Sequence, residues 1–169
     1  MRRILWWVIS LVALSVLSTS CKDDEDLSNN QISVIRKNKE DGESYMKTKR
    51  AQQDVKEDPS GLLYSVVTEG VGEKPSLKDT VTITYTGKTI RDSVFISKTE
   101  TMAVVDLDEG LQIGVRHMKE GANYHLFVPY YLMYGATSNK FTYKGKTVTV
   151  LGYSALVYDM TLDAVIKVE

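Results

Sequence analysis

Few residues of this chain belong to the types that carry out covalent or metal chemistry. The two histidines, His117 and His125, are each more typical of an exposed or hydrogen-bonded side chain than of a metal ligand. The sequence contains no metal-ligand spacing, no Ser-His-Asp set, no P-loop and no dinucleotide fingerprint. We therefore predict no metal and no other cofactor.

Cys21 is the only cysteine, which excludes an internal disulfide. It follows a basic start at Arg2 and Arg3, an apolar run over residues 4–17 and three small residues at 18–20, which is the order of an export signal. A permanent membrane helix is the alternative. The apolar run is, however, shorter than the roughly 20 residues that a membrane span needs.

A cysteine directly after the small residues of a signal resembles the lipobox of bacterial lipoproteins, in which the thiol takes a diacylglycerol and becomes the new amino terminus. Acyl chains attached there would hold the protein on a bilayer. The usual motif has leucine three residues before the cysteine, whereas Ser18 stands there and Leu17 lies one position earlier. We expect lipidation of Cys21, and the alternative is a free thiol in a cleaved secreted protein.

The residues after the cysteine bear on the location. Lys22-Asp23-Asp24-Glu25-Asp26 resembles the signal that directs lipoproteins of one Gram-negative lineage to the cell surface. An acidic start to a solvated linker would give the same pattern. We expect an outer-membrane lipoprotein, either exposed on the cell surface or on the periplasmic face.

Composition limits what the rest of the chain can be. The 169 residues, of which 43% are apolar and 25% charged, suit one globular domain. Without the first twenty residues the chain keeps 19 of its 21 basic residues against 22 acidic ones, a net charge of about −3, which argues against nucleic acid as a partner.

The stretch between the signal and the domain is highly charged. From Cys21 to Ser60, 18 of 40 residues carry a charge and few are large and apolar, so we expect a tether with at most short helices, interrupted at Gly42. Pro59-Ser60-Gly61 then marks a turn. The predicted organisation is a signal at 1–20, a lipidated tether at 21–59 and a folded domain at 60–169.

Within the domain, apolar residues alternate with polar ones, the signature of strands with one buried face. Val81, Ile83 and Tyr85 share one face of a first strand. A last strand has Leu156, Tyr158, Met160 and Leu162 on one face, and we expect both strands to be central. Further strands are predicted over 62–67, 124–128 and 88–95, and a short helix through Leu111, Val115 and Met118 ends near Gly121. This is an α+β fold.

Several segments of the domain match known motifs in order and spacing. They are Ser60-Gly61-Leu62-Leu63-Tyr64, Glu69 to Pro75, Asp79 to Gly87, Val94-Phe95-Ile96-Ser97, Gly114 to Gly121, Val128 to Gly135 and Ser154 to Asp159. Together they resemble FKBP-type peptidyl-prolyl isomerases of the bacterial Mip kind. The resemblance implies a mostly antiparallel curved sheet wrapped on one short helix.

The resemblance also implies cis-trans isomerisation of Xaa-Pro bonds in proline-containing polypeptides. The family holds the proline ring in a cup of apolar and aromatic side chains. The positions that match its catalytic residues are Tyr85, Phe95, Tyr134 and Tyr158, and those that match its substrate-binding residues are Ile96, Leu107, Leu111 and Val128. The tyrosine matching Tyr134 donates a hydrogen bond to a substrate carbonyl. Core packing is the alternative for each residue, and the favoured one for Tyr85 and Tyr158 taken alone.

Three positions depart from the family pattern. Ile96 stands where the family has aspartate, Asp108 where it has an aliphatic residue, and Leu111 where the floor of the cup is often tryptophan. The loop after Ser97 is also short and offers no partner for further pocket aromatics. We therefore expect reduced isomerase activity, and the alternative is a non-catalytic FKBP-like module that binds peptides or acts as a chaperone.

Overall fold

The computed structural model describes residues 22–168. The predicted signal peptide and the lipidation site at Cys21 therefore lie outside the described residues. Among residues 22–168, no helix has the length and apolar character needed to cross a bilayer.

The fold is built around a six-stranded antiparallel sheet. Its strands are β1 (Val55–Glu57), β2 (Leu63–Thr68), β3 (Thr80–Thr89), β4 (Val94–Ala103), β5 (Asn123–Val128) and β8 (Leu156–Ile166), arranged in the order β1-β2-β5-β8-β3-β4. Strands β6 (Asn139–Tyr143) and β7 (Lys146–Val150) form a separate hairpin. The helices are α1 (Lys22–Arg50) and α2 (Glu109–His117). The predicted α+β class is confirmed.

One face of the sheet carries the main core. Alternate residues of β3 and β8 point into it, because successive side chains of a strand lie on opposite faces. Val81 and Ile83 of β3 and Met160 and Leu162 of β8 are completely buried there. The predicted alternation of both strands is confirmed, and both are interior strands that pair with each other.

Helix α2 covers this face. Leu111 and Val115 lie one turn apart on its buried side, and Met118, the residue after the last turn, is also buried. Gly114 lies against the sheet, where a Cβ atom would come within 2.4 Å of the Leu126 side chain. Because Gly114 has no side chain, the helix can pack closely against the sheet and cover the core.

The opposite face of the sheet has a smaller core. Met46 of α1, Leu63 of β2, Phe127 of β5 and Ala155 pack together in it. The compact unit that begins at Val34 includes the second half of α1, so the end of this helix belongs to the packed structure of the sheet.

The expected interruption at Gly42 is wrong, because α1 is continuous from Lys22 to Arg50. A Cβ atom at Gly42 would lie 3.3 Å from Cβ of Ala155, so the missing side chain allows the helix to approach the sheet closely. Asn38 also donates hydrogen bonds to the carbonyl of Gly152 and to the Ser154 hydroxyl. Tertiary packing thus offsets the low helix propensity of glycine.

The strand predicted over 88–95 is also wrong. Lys88 and Thr89 end β3, a turn follows, and Val94 begins β4. Hydrogen bonds link Asp92 N to the Thr89 carbonyl and Thr89 N to the Ser93 carbonyl, and Asp92 has a φ of 60°. A short side chain that tolerates this left-handed conformation makes the segment a tight hairpin.

We predict that Met46→Ala lowers the free energy of unfolding by about 2 to 4 kcal/mol, because it leaves a cavity beside Leu63 and Phe127. The fragment 60–169 should still unfold cooperatively but at a lower temperature than the fragment 34–169. Thermal unfolding by circular dichroism measures both. Equal melting temperatures of the two fragments would show that α1 contributes nothing to the fold.

The carboxylate of Asp79 is buried. It accepts hydrogen bonds from the backbone N–H groups of Ser76 and Val168 and from Nζ of Lys167. These bonds, that from Ser76 foremost, hold the pKa of Asp79 well below its usual range. Its stabilisation is therefore present above about pH 4 and lost as the pH falls through the lower folded-state pKa. The stability gap between wild type and Asp79→Asn, measured by urea unfolding, should narrow below pH 4; a gap that widens on acidification would contradict this.

Candidate active site

Three aromatic rings from three adjacent strands meet on the main-core face. Tyr85 of β3 lies 5.9 Å from Tyr158 of β8, measured between ring centroids. Phe95 of β4 meets Tyr158 edge to face at 6.0 Å and an interplanar angle of 89°. Edge-to-face contacts of this kind are the favoured geometry of aromatic pairs. Together the three rings form the wall of an apolar cup.

Two local features let the rings converge. The pairing of β3 with β4 shifts register between Gly87 and Lys88, so that Phe95 is unpaired while Ile96 pairs with Gly87. This bulge lets both Phe95 and Ile96 pack on the core face. A Cβ atom at Gly87 would lie within 2.8 Å of Phe95, Ile96 and Tyr158, so the cup needs glycine at this position.

Aliphatic residues complete the interior of the cup. Leu107, which precedes α2, and Leu111 on its first turn are both buried, and Val128 at the end of β5 is completely buried. All three belong to the same core cluster as the aromatic wall. Val128 lies directly against the start of α2, where a Cβ atom at Gly110 would come within 2.4 Å of it.

The rim of the cup is more open. Tyr134 is partly buried, and its hydroxyl lies 3.5 Å from the hydroxyl of Tyr158. Phe141 of β6 lies 5.7 Å from Tyr134 and 4.8 Å from Phe95 between ring centroids. The hairpin β6–β7 thus adds a further aromatic ring to the rim.

Phe141 is not among the residues predicted from the sequence, in which the short loop after Ser97 offers no partner for further pocket aromatics. A local signal exists, because Phe141 before a Lys-Gly turn and Val148 after it each alternate with polar residues, a pattern typical of a hairpin. No sequence feature shows, however, that this hairpin packs over β4.

The polar groups lie at one edge of the cup. The Tyr85 hydroxyl donates a hydrogen bond of 2.7 Å to Glu100, which also accepts one from Lys98. Burial, foremost, raises the pKa values of the Tyr85, Tyr134 and Tyr158 hydroxyls, so all three stay protonated donors at neutral pH. Desolvation also raises the pKa of Asp108, whose charge lies near these hydroxyls.

The structure brings all eight predicted groove residues into one packed cluster: Tyr85, Phe95, Ile96, Leu107, Leu111, Val128, Tyr134 and Tyr158. Six are at least 93% buried, whereas Ile96 and Tyr134 are partly exposed. Their catalytic and binding roles stay predictions, because burial of this degree is also what core packing requires.

Such a cup can bind an apolar ring and exclude water from a bond beside it. The Tyr134 hydroxyl at the rim is placed to act on a substrate by hydrogen bonding. Chemistry that needs no nucleophile or proton transfer suits this arrangement.

The family model for FKBP-type peptidyl-prolyl cis-trans isomerase matches residues 71–163, more than half of the chain. The chain belongs to this family. A second model, for the domain amino terminal to FKBP-type isomerases, matches residues 14–66, which include all of α1. The segment predicted as a tether therefore corresponds in part to a recognised amino-terminal domain.

Similar proteins include bacterial and protozoan relatives. Outer membrane protein MIP of Legionella longbeachae is 34% identical over 106 residues, which are 60% of this chain and 46% of that protein. Macrophage infectivity potentiator of Trypanosoma cruzi is 27% identical over 166 residues, 95% of this chain and 81% of that protein. The crystal structure of FkpA from Escherichia coli superimposes with a TM-score of 0.72 at 25% identity and covers 85% of this chain and 66% of that one.

The chain spans less than half the length of the first two curated relatives that it matches. MIP of Legionella longbeachae is covered to 46%, and the probable isomerase FkpA of Neisseria meningitidis to 38%.

Proposed function

We propose that this FKBP-family chain is a peptidyl-prolyl cis-trans isomerase that acts on proline-containing polypeptides. The observation that carries the proposal is the convergence of Tyr85, Phe95 and Tyr158 on one cup whose rim carries the Tyr134 hydroxyl. Membership of the isomerase family supports it.

The chemistry of the reaction fits these groups. Rotation about an Xaa-Pro bond crosses a barrier of about 20 kcal/mol because amide resonance is lost at the twisted state. A twisted amide carries less charge separation than a planar one, so an apolar, desolvated cup favours it over both planar forms. Tyr134 and Phe141 supply the accessible apolar surface for the proline ring, and the buried Phe95 and Tyr158 rings support it from behind.

The Tyr134 hydroxyl has a second role in this proposal. It lies at the rim, where a peptide carbonyl next to the proline would pass, and its only hydrogen-bond partner among the described residues is the Tyr158 hydroxyl at 3.5 Å. A contact that long is weak. The Tyr134 hydroxyl can therefore turn to a substrate carbonyl at little cost.

A non-catalytic peptide-binding module is the second candidate. The near-complete burial of Phe95 and Tyr158 leaves a shallow groove whose accessible surface is the rim of Tyr134 and Phe141. Ile96 and Asp108 also favour the non-catalytic candidate, because they change the polar groups at the edge of the family's site. Such a groove would bind proline peptides without lowering the rotation barrier.

We predict that the chain beginning at Lys22 accelerates isomerisation of an Xaa-Pro test peptide, and that Tyr134→Phe slows it several-fold. Loss of one hydrogen bond to the twisted amide costs on the order of 1 kcal/mol of transition-state stabilisation. A protease-coupled rate assay measures kcat/KM. Tyr131→Phe is the matched control, because Tyr131 lies in the same loop but donates its hydroxyl to the Ser60 carbonyl and is 53% exposed.

Equal rates for Tyr134→Phe and wild type would remove Tyr134 from the mechanism. A wild-type chain that binds the peptide but leaves its isomerisation rate unchanged would favour the second candidate. In that case Phe95→Leu, which keeps most of the core volume, should still weaken the binding, as measured by peptide fluorescence anisotropy.

We further propose that the mature protein is held on the outer membrane by acyl chains at Cys21, with the domain on the cell surface. The residue order around Cys21 supports this, as does the outer-membrane name of the MIP relative. Acylation would give the anchor, since two or more chains are needed for stable membrane binding.

We predict that mass spectrometry of the membrane-extracted protein finds a diacylglycerol-modified cysteine as the first residue. Replacing Cys21 by Ser should release the protein into the soluble fraction. Protease added to whole cells should remove the domain, and alanine at positions 23–26 should protect it. An unmodified thiol in membrane-extracted protein is the outcome that overturns the anchor, and protease resistance of the wild type overturns surface exposure alone.

A further inference from the structure

The Tyr85 side chain is anchored by a carboxylate that the family pattern does not place. Its hydroxyl donates a 2.7 Å hydrogen bond to Oε1 of Glu100, and Oε2 of the same carboxylate accepts a 2.6 Å bond from Nζ of Lys98. Glu100 is thus shared between one member of the cup wall and one cation at its edge. The Glu100 side chain is 24% exposed, so this bond lies at the boundary of the core.

Strand register explains why Glu100 can reach Tyr85. In the β3–β4 pairing Tyr85 stands opposite Lys98, Ile83 opposite Glu100 and Gly87 opposite Ile96. Residues 96, 98 and 100 share one face of β4, so positions 96 and 100 lie diagonally on either side of Tyr85. Either position can bring a carboxylate near this tyrosine.

This chain has an apolar residue at one diagonal position and an acid at the other. Ile96 packs against the main core beside Gly87, and its hydrocarbon side chain cannot accept a hydrogen bond from Tyr85. Glu100 lies on the other side, and the Tyr85 hydroxyl turns toward it. We propose that Glu100 is the positioning residue of the cup, holding the Tyr85 ring in place from position 100 in the absence of a carboxylate at position 96.

The electrostatics agree with this geometry. Although burial acts to raise it, the hydrogen bonds from Lys98 and Tyr85 hold the pKa of Glu100 below its usual range, so the carboxylate is ionised at neutral pH. Hydrogen bonds to an ionised acceptor are stronger than neutral ones. Lys98 also lies 5.7 Å from the centre of the Tyr85 ring, which adds a cation-π contact on the same side.

The anchor has a functional consequence that rests on the proposed isomerase activity. A buried ring without a fixed hydroxyl has more freedom to shift and tilt, and a cup that is complementary to the twisted amide depends on fixed walls. Loss of the anchor should therefore lower kcat more than it raises KM. A purely structural role would lower the stability and leave kcat of the folded fraction unchanged.

The test measures kcat and KM for four versions of the chain that begins at Lys22: wild type, Tyr85→Phe, Glu100→Ala and the double variant. We expect each single variant to lose about tenfold in kcat/KM, mostly through kcat, and the double variant to lose no more than one of them. Glu100→Gln keeps an acceptor of the same length and should lose less than Glu100→Ala. Thr99→Ala is the control, because it removes a cross-strand contact with Thr84 on the other face of β4 and should leave the rate unchanged.

Moving the carboxylate provides the rescue. Ile96→Asp combined with Glu100→Ala should recover part of the lost rate, since both positions flank Tyr85. A Glu100→Ala variant within twofold of wild type overturns the proposal. So does a double variant whose loss is the product of the two single losses, because Glu100 would then act independently of Tyr85.

A second readout separates this proposal from the proposed function. The solvent-exchange rate of the Tyr85 hydroxyl proton, measured by NMR on isotopically labelled tyrosine, should rise in Glu100→Ala and stay near the wild-type value in Thr99→Ala. If wild type isomerises nothing, the proposed function fails, and the hydroxyl exchange rates still decide whether Glu100 holds Tyr85. Identical exchange rates in wild type and Glu100→Ala overturn the anchor whatever the activity.

Discussion

The pairing of β3 with both β4 and β8 is the constraint on which the cup depends. At Gly87 this strand stands opposite Ile96 on one side and Tyr158 on the other. Because glycine has no side chain, the Phe95 and Tyr158 rings can close over it, within 2.8 Å of where a Cβ atom would lie. A shift of register by one residue would turn Tyr85 to the opposite face and remove the wall.

The other elements follow from this central pairing. The bulge at Phe95 exists because β4 must place two consecutive residues, Phe95 and Ile96, on the core face beside the glycine. Helix α2 then closes the cup from below, and the hairpin of β6 and β7 closes its side with Phe141. Glu100 and Lys98 of β4 lie at the edge of the cup beside Tyr85.

Sequence alone could predict what depends on alternation and local motifs. The buried faces of β3 and β8, the short helix α2 and the eight clustered residues follow from spacing or from family motifs carried by short segments. The strand predicted over 88–95 failed because of a local turn at Asp92, whereas two other failures depend on contacts distant in sequence. The continuity of α1 through Gly42 is decided by Ala155, and the place of Phe141 is decided by how a hairpin packs on β4. Neither contact leaves a local pattern, and a charged helix with one narrow apolar face resembles a solvated linker.

The same reasoning explains why a motif comparison misjudges the polar edge of the cup. A residue-by-residue comparison counts position 96 as the loss of a carboxylate, because isoleucine stands where the family has an acid. In a sheet, however, the space near a side chain is reached from two diagonal positions on the neighbouring strand, and Glu100 occupies the second. The hydrogen bond to Tyr85 can therefore be provided from either of two sequence positions. Asp108 differs, because no second position among the described residues offsets it: it lies near the same three tyrosine hydroxyls, and desolvation raises the pKa of its carboxyl, so burial disfavours its charged form.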